Sequence, residues 1–275
     1  MNSPSNRLAL RAQRARMMSS ASTSLLEVEG LGVRYGALVA LDAVDWHVGS
    51  GEILGIIGPN GAGKSSCYDA VTNLTSRRGR VRLGSEDVTA VAPHKLAARG
   101  LKRAFQQNAF FHDLSVAENM LTVLQDRYGT GLLATIFTPW REASRRTEAK
   151  AAGRALLLRF GIPEVLHERR PSNIPYGSQR MLSIALAYGS GARVLMLDEP
   201  AAGLGGADMA KLIALLRELK AEGLGLVVIE HHMDLIMAVA DRIVVLDQGK
   251  RLATGTPREI QTNAKVLEAY LGRAA

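Results

Sequence analysis

The sequence predicts an α/β fold: a core sheet of buried strands with helices on both faces and a helix-rich segment inserted into it. Three observations carry that expectation. Short apolar runs recur towards both ends of the chain and alternate with helical segments. Long Ala-, Leu- and Arg-rich stretches fill the middle, from residue 114 to about residue 187. The apolar run at 52–58 (EILGIIG) ends in glycine shortly before a helical pattern starts.

The elements follow in order. Residues 25–35 and 44–48 alternate enough to read as strands. The run at 52–58 suits a strand of a parallel sheet, buried on both faces. A helix follows Gly63, and 81–83 and 101–105 are further short strands. The middle region reads as several helices. Residues 193–197 (RVLML) return to a buried strand. Residues 207–220 carry Met209, Leu212, Leu215, Leu216 and Leu219 at helical spacing. Two more apolar strands, 226–229 and 243–246, flank another helical stretch. No internal repeat is present.

A chain of 275 residues holds one large domain or two small ones. Its 47% hydrophobic and 22% charged residues exclude a disordered, collagen-like or coiled-coil chain. Aromatics at 5% argue against stacking platforms for single-stranded nucleic acid. No apolar run reaches the roughly 18 residues of a spanning helix. The lone Cys67 cannot form an internal disulfide, which fits a reducing compartment or indifference to redox. The net charge of +8 is unevenly spread: Arg7, Arg11, Arg14 and Arg16 lie in residues 1–24, which hold no acid. The remainder is mildly basic, so charge calls for no nucleic-acid partner; an anionic nucleotide or the inner face of a membrane would serve equally. Residues 1–24 lack the apolar segment of a secretory signal and faintly resemble an organellar transit peptide. They read as a disordered basic extension, or as upstream sequence with Met17 or Met18 the true start. The folded domain is expected over 25–275, with the helical subdomain inserted at about 107–188.

The strongest chemical signal is Gly58-Pro59-Asn60-Gly61-Ala62-Gly63-Lys64-Ser65, which fits G-x-x-x-x-G-K-[ST] between a strand and a helix. The glycines let backbone N–H groups wrap a phosphate at a helix N-terminus, where the dipole favours negative charge. Lys64 would reach the β and γ phosphates, Ser65 would ligate Mg²⁺, and Ser66 would donate to an α-phosphate oxygen. Downstream, the strand RVLML ends in Asp198-Glu199, and an acid at the end of a parallel strand lies at the ligand crevice. Asp198 would hold Mg²⁺ through water. Glu199 suits a general base that polarises the attacking water. The strand at 226–229 ends in Glu230-His231-His232. A histidine there can hydrogen-bond a γ-phosphate; the pair could instead ligate a metal, though nothing in the spacing supports zinc.

The ordered set GPNGAGKSS, AFQQ, VLMLDEP and IEHHM resembles the ATP-binding subunits of ABC transporters. The stretch ADRIVVLDQGKRLATGTPREI and the late EAYLG are similar to the ATPases of branched-chain (hydrophobic) amino acid importers. The resemblance spans about residues 25–272. It implies a P-loop NTPase core with an N-terminal antiparallel β portion and an inserted helical subdomain, and it implies hydrolysis of ATP with Mg²⁺. By position it implies that Tyr35 stacks on adenine. It also implies that Gln106 senses Mg²⁺ and the attacking water and that His231 is the switch histidine. Two ATPase chains would sandwich two ATP molecules, each held by one chain's P-loop and the other chain's signature loop. Two integral membrane permease subunits, and indirectly an extracytoplasmic substrate-binding protein, complete the implied assembly at the cytoplasmic face of a bacterial inner membrane.

Two places depart from the family pattern. The signature usually reads L-S-G-G-Q or L-S-Y-G-Q; here it is Ile174-Pro175-Tyr176-Gly177-Ser178. Pro175 supplies neither the serine hydroxyl nor a backbone N–H. Tyr176, Gly177 and Ser178 remain as the segment that would face the partner's ATP. The loop after the acidic pair has Gly205 where the family has Asp or Asn. The leading functional reading is therefore the ATPase of an importer for branched-chain or related hydrophobic amino acids. The alternative is a non-transport ABC ATPase used as an assembly scaffold.

Overall fold

A computed structural model of the protein describes residues 24–104, 110–128 and 139–271. From the amino end, β1 (Ser24–Tyr35) and β2 (Leu38–Gly49) form a hairpin, and β3 (Ile53–Ile57) leads into α1 (Lys64–Val71). Then come β4 (Arg78–Leu83), β5 (Glu86–Asp87), α2 (Pro93–Ala98) and β6 (Leu101–Ala104). The helices α3 (Val116–Tyr128), α4 (Pro139–Arg159) and α5 (Tyr176–Gly189) fill the interval before β7 (Val194–Asp198). The chain closes with α6 (Gly206–Ala221), β8 (Gly225–Ile229), α7 (Met233–Val239), β9 (Arg242–Asp247), β10 (Lys250–Gly255), α8 (Pro257–Gln261) and α9 (Ala264–Leu271).

The strands make two sheets. One is antiparallel, in the order β2-β1-β4-β5; the other runs β10-β9-β3-β8-β7-β6, parallel except for β10. All five residues of β3 are buried, as a strand covered on both faces requires. Alternation divides the core between those faces. Leu54, Ile56, Met196, Val227 and Ile229 pack with α1 and with the apolar face of the antiparallel sheet. Ile53, Ile57, Leu195, Leu197 and Val228 pack with residues of α3 to α7. Helices thus lie on both faces of the parallel sheet, with the antiparallel sheet sharing one of them. Among the described residues no helix is long and apolar enough to cross a membrane.

The expected boundaries shift in places. Strand β1 begins at Ser24, one residue inside the expected extension; residues 1–23 lie outside the described residues. The strand expected at 44–48 runs from Leu38 to Gly49. A bulge interrupts its alternation: Ala43 adopts φ 53, and the register with β1 shifts between the pairs Leu31↔Val44 and Val33↔Leu41. β10 was not expected, because KRLATG has no apolar alternation. It is an edge strand joined to β9 through Gln248 (φ 46) and Gly249 (φ 75), the two left-handed residues of a tight hairpin.

Candidate functional site

Strand register brings the sequence-predicted motifs to one edge. Ile56 of β3 pairs with Ile229 of β8, and Ile229 pairs with Asp198 of β7. The phosphate loop, the acidic pair and the histidine pair all begin within two residues of that row. This is the carboxyl edge of a parallel sheet, where ligands of open α/β folds bind.

The loop Gly58–Gly63 is shaped by what cannot fit. A Cβ on Gly58 would lie 2.1 Å from the Leu246 carbonyl oxygen, and one on Gly63 2.5 Å from that of Ala40. Gly63 takes φ 99 as the N-cap of α1 and offers no side-chain cap, so the first-turn N–H groups of that helix are free of one. Lys64 is nearly buried, and its Nζ donates to the carbonyls of Gly58 (2.7 Å) and Pro59 (3.1 Å). Burial pulls its pKa down; the Glu199 and Asp198 carboxylates oppose that pull. Ser65 is exposed, Ser66 half-buried, and Asn60 exposed beside them. Tyr35 is 48% exposed at the β1–β2 turn, where it pairs with Leu38; β2 then passes Ala40 and Leu41 against Gly63. The phenol of Tyr270 in α9 points towards Gly58 without a well-formed hydrogen bond to it, and burial raises its pKa.

Asp198 ends β7. Burial, and then the charge of Glu199 beside it, lifts its pKa to about 6. Glu199 sits in the left-handed region at φ 47, and its N–H donates to the Ile229 carbonyl at 2.8 Å. Its Oε1 lies 3.3 Å from His231 Nδ1. The His231 and His232 rings are 4.5 Å apart and tilted by 37°. Glu230, between the strand and these rings, is completely buried. Its Oε1 accepts from the Ala201 N–H (2.7 Å), and its Oε2 accepts from the N–H groups of His231 (2.9 Å) and His232 (3.0 Å). Glu230, His231 and His232 bring donor atoms within 4.8 Å of one another. Both Glu230 oxygens are committed to backbone donors, however, which argues against a metal there.

The signature residues form a separate cluster. Pro175 is the N-cap of α5, with Tyr176, Gly177 and Ser178 in its first turn. The Tyr176 ring covers Gly203, whose added Cβ would meet Tyr176 Cε1 at 2.9 Å. Its hydroxyl accepts from the Arg180 guanidinium at 2.8 Å. A Cβ on Gly177 would lie 2.3 Å from Asp208 Oδ2. Among the described residues, no hydrogen bond joins this cluster to the phosphate loop. Gln106 lies outside the described residues. The buried Glu230 is the residue that motif reading passed over; a lone acid after an apolar strand carries no sign of which backbone groups it will meet.

The model of the ABC transporter family matches residues 41–202. The chain belongs to the ABC transporter family. The cassette's carboxyl end, residues 250–275, also matches the model described as the branched-chain amino acid ATP-binding cassette transporter. The cassette is 38% identical to the high-affinity branched-chain amino acid transport ATP-binding proteins BraF of Pseudomonas aeruginosa and LivG of Escherichia coli. Each match covers 92% of this chain and 100% of the relative. The lipopolysaccharide export system ATP-binding protein LptB of Acidithiobacillus ferridurans is 29% identical over 91% of the chain and 98% of that relative. Among solved structures, a nucleotide-free ATP-binding cassette from an ABC transporter superposes with a TM-score of 0.77 at 26% identity, over 90% of this chain and 98% of that one. A second cassette, in its ADP conformation, gives 0.74 at 26% identity, over 90% and 99%. The cassette is the nucleotide-binding, ATP-hydrolysing unit of its family.

Proposed function

We propose that this cassette drives uptake of branched-chain or related hydrophobic amino acids by hydrolysing Mg·ATP against separate membrane subunits. The observation that carries the reading is the match of 250–275 to the branched-chain model, together with its placement. That stretch holds β10, α8, with its Thr256/Glu259 capping box, and α9, whose Tyr270 points towards the first glycine of the phosphate loop. The segment that distinguishes the subfamily is thus packed beside the nucleotide loop.

In this reading the backbone N–H groups of 60–66 cradle the phosphates, Lys64 exchanges its loop carbonyls for β and γ oxygens, and Tyr35 stacks on adenine. The hard oxygen donors Ser65 and Asp198 fit Mg²⁺. The carboxyl of Asp198, pushed up by burial and by Glu199, is one a cation would relieve. Mg²⁺ supplies neutralisation of phosphate charge. Glu199 accepts the proton of the attacking water, and His231, 3.3 Å from it, bridges base and γ-phosphate. Gln106 would sense Mg²⁺ and the same water, as the family resemblance implies. Tyr176, Gly177 and Ser178 face the ATP of a second ATPase chain, and the pair docks on two permeases at the cytoplasmic face of the inner membrane, fed by a binding protein outside. The N-terminal 1–24 act as an appendage to the domain at 25–275, whose helices between β6 and β7 form the inserted subdomain.

The test reconstitutes the chain with candidate permeases and a second ATPase from its source and measures ATP-driven uptake of labelled leucine. Uptake is expected with the wild type. Glu199→Gln should bind ATP normally and lose about 10²–10⁴-fold in hydrolysis, the usual range for a general base. Wild-type turnover in that variant refutes the base assignment. Robust ATPase activity that no hydrophobic amino acid stimulates refutes the cargo.

A further inference from the structure

We infer that Glu230 is a positioning residue that ties the turn carrying Glu199 to the turn carrying His231, so that base and histidine keep their relative places. The inference rests on the general-base role proposed for Glu199. Two features of the fold converge on this side chain. It is completely buried, and a carboxylate is costly to bury unless its oxygens find donors. Its hydrogen bonds come from backbone N–H groups of two functional turns, Ala201 on one side and His231 and His232 on the other, and the His231 Nδ1 lies 3.8 Å from its Oε2. Its backbone N–H donates to the Ile56 carbonyl of β3 at 3.3 Å, which fixes this position relative to the strand that leads into the phosphate loop.

The bond to Ala201 explains how Glu199 holds a strained backbone. A non-glycine residue at φ 47 needs its surroundings to fix it. The Glu199 N–H is held by the Ile229 carbonyl, and the Glu199 carbonyl accepts from the Ala202 N–H at 3.1 Å. Between these anchors the Ala201 N–H is held by Glu230. Without that acceptor the turn keeps these two anchors and loses its middle. The Glu199 carboxylate is then free to drift from His231, and a misplacement of about 1 Å can cost about 100-fold in rate.

Two substitutions separate the two halves of the role. Glu230→Asp draws the carboxylate back by one methylene. It can still accept from the N–H groups just after it, as aspartates in turns do, but it no longer reaches Ala201. Glu230→Gln keeps the length and replaces one accepting oxygen with a donor. In the full-length chain with its partner subunits, Glu230→Asp should lower kcat for ATP about 10-fold or more, with KM and ATP affinity within about 3-fold of wild type. Glu230→Gln should do the same where it folds. In a Glu199→Gln background, Glu230→Asp should add almost nothing, because a residue acting through the base has no effect once the base is gone. Wild-type kcat in Glu230→Asp overturns the inference. So does a parallel fall of kcat, ATP affinity and melting temperature, or a full additional loss in the Glu199→Gln background. If Glu199→Gln itself hydrolyses ATP normally, the general-base reading has failed instead.

Discussion

Replacing Asp198 with asparagine should make the nucleotide-free protein more stable, even though it damages the site. In the fold, burial and the neighbouring Glu199 raise the Asp198 carboxyl from 3.8 to about 6. The folded state therefore binds the proton more tightly than the unfolded chain, and between those two values stability falls as pH rises. At 1.36 kcal/mol per tenfold change in proton affinity, the ceiling is about 3 kcal/mol above pH 6. Partial exposure of the side chain screens the effect, leaving about 1–2 kcal/mol. For a chain of this size that is a rise of about 2–8 °C in melting temperature. The assay is thermal unfolding of wild type and Asp198→Asn in chelator-containing buffer from pH 5 to pH 8. The gain should be greatest above pH 6 and shrink as pH falls from 6 to 5; it would vanish only below 3.8, where Asp198 is protonated in both states. Mg·ATP should stabilise the wild type and close the gap, since only the carboxylate repays a cation. A variant no more stable than wild type at pH 8, or a gain independent of pH, refutes the reasoning; Arg103, whose charge opposes the shift, would then have compensated the buried charge.

Two further substitutions probe the two clusters separately. Lys64→Ala should abolish tight ATP binding by calorimetry, because the phosphate loop loses its fixed cation and two carbonyl contacts together; unchanged affinity refutes the loop's role. Pro175→Ser should raise hydrolysis at the site completed by this chain's signature by about 10-fold or more, read in a Glu199→Gln background that silences the site on this chain's own phosphate loop, since one hydrogen bond to a charged group is worth about 1.5–3 kcal/mol. No change would mean that α5 presents enough backbone donors to the partner's phosphate without that hydroxyl.

What was legible followed from how local each signal is. The phosphate loop announces itself because three glycines, a lysine and a serine must be contiguous to wrap a phosphate. The acidic pair is legible because an apolar strand precedes it. The structure adds the reason Gly58 and Gly63 are glycines: carbonyls of Leu246 and Ala40, distant in sequence, occupy the space of a side chain. Glu230 was not legible, because its donors come from residue 201 as well as its own neighbours, and only the pairing of β7 with β8 brings that turn to it. The edge strand β10 escaped because a strand with no fully buried position has no apolar alternation to read. The extent of β2 escaped because one bulged alanine breaks the period of two.

The placement of the nucleotide machinery follows from core packing more than from the site residues. Asp198 stands beside Ile229 and Ile229 beside Ile56, and that row holds only while β3, β7 and β8 keep register. Register is enforced from both faces: a slip of one residue would send Ile56 and Ile229 from the side packed on α1 to the side packed on the other helices, and carry Asp198 away from the phosphate loop. The signature cluster has no such frame. It sits at the start of α5, held by Tyr176 over Gly203 and by Asp208 against Gly177, contacts between loops and helix ends rather than between paired strands. Sequence change is correspondingly cheaper there. Pro175 and Gly205 both fall in this part of the chain, while Lys64, Ser65, Asp198, Glu199 and His231 sit on the sheet edge with the family's residue types intact. A cassette altered only where it serves its partner can keep its own nucleotide chemistry, provided that partner brings a regular signature of its own.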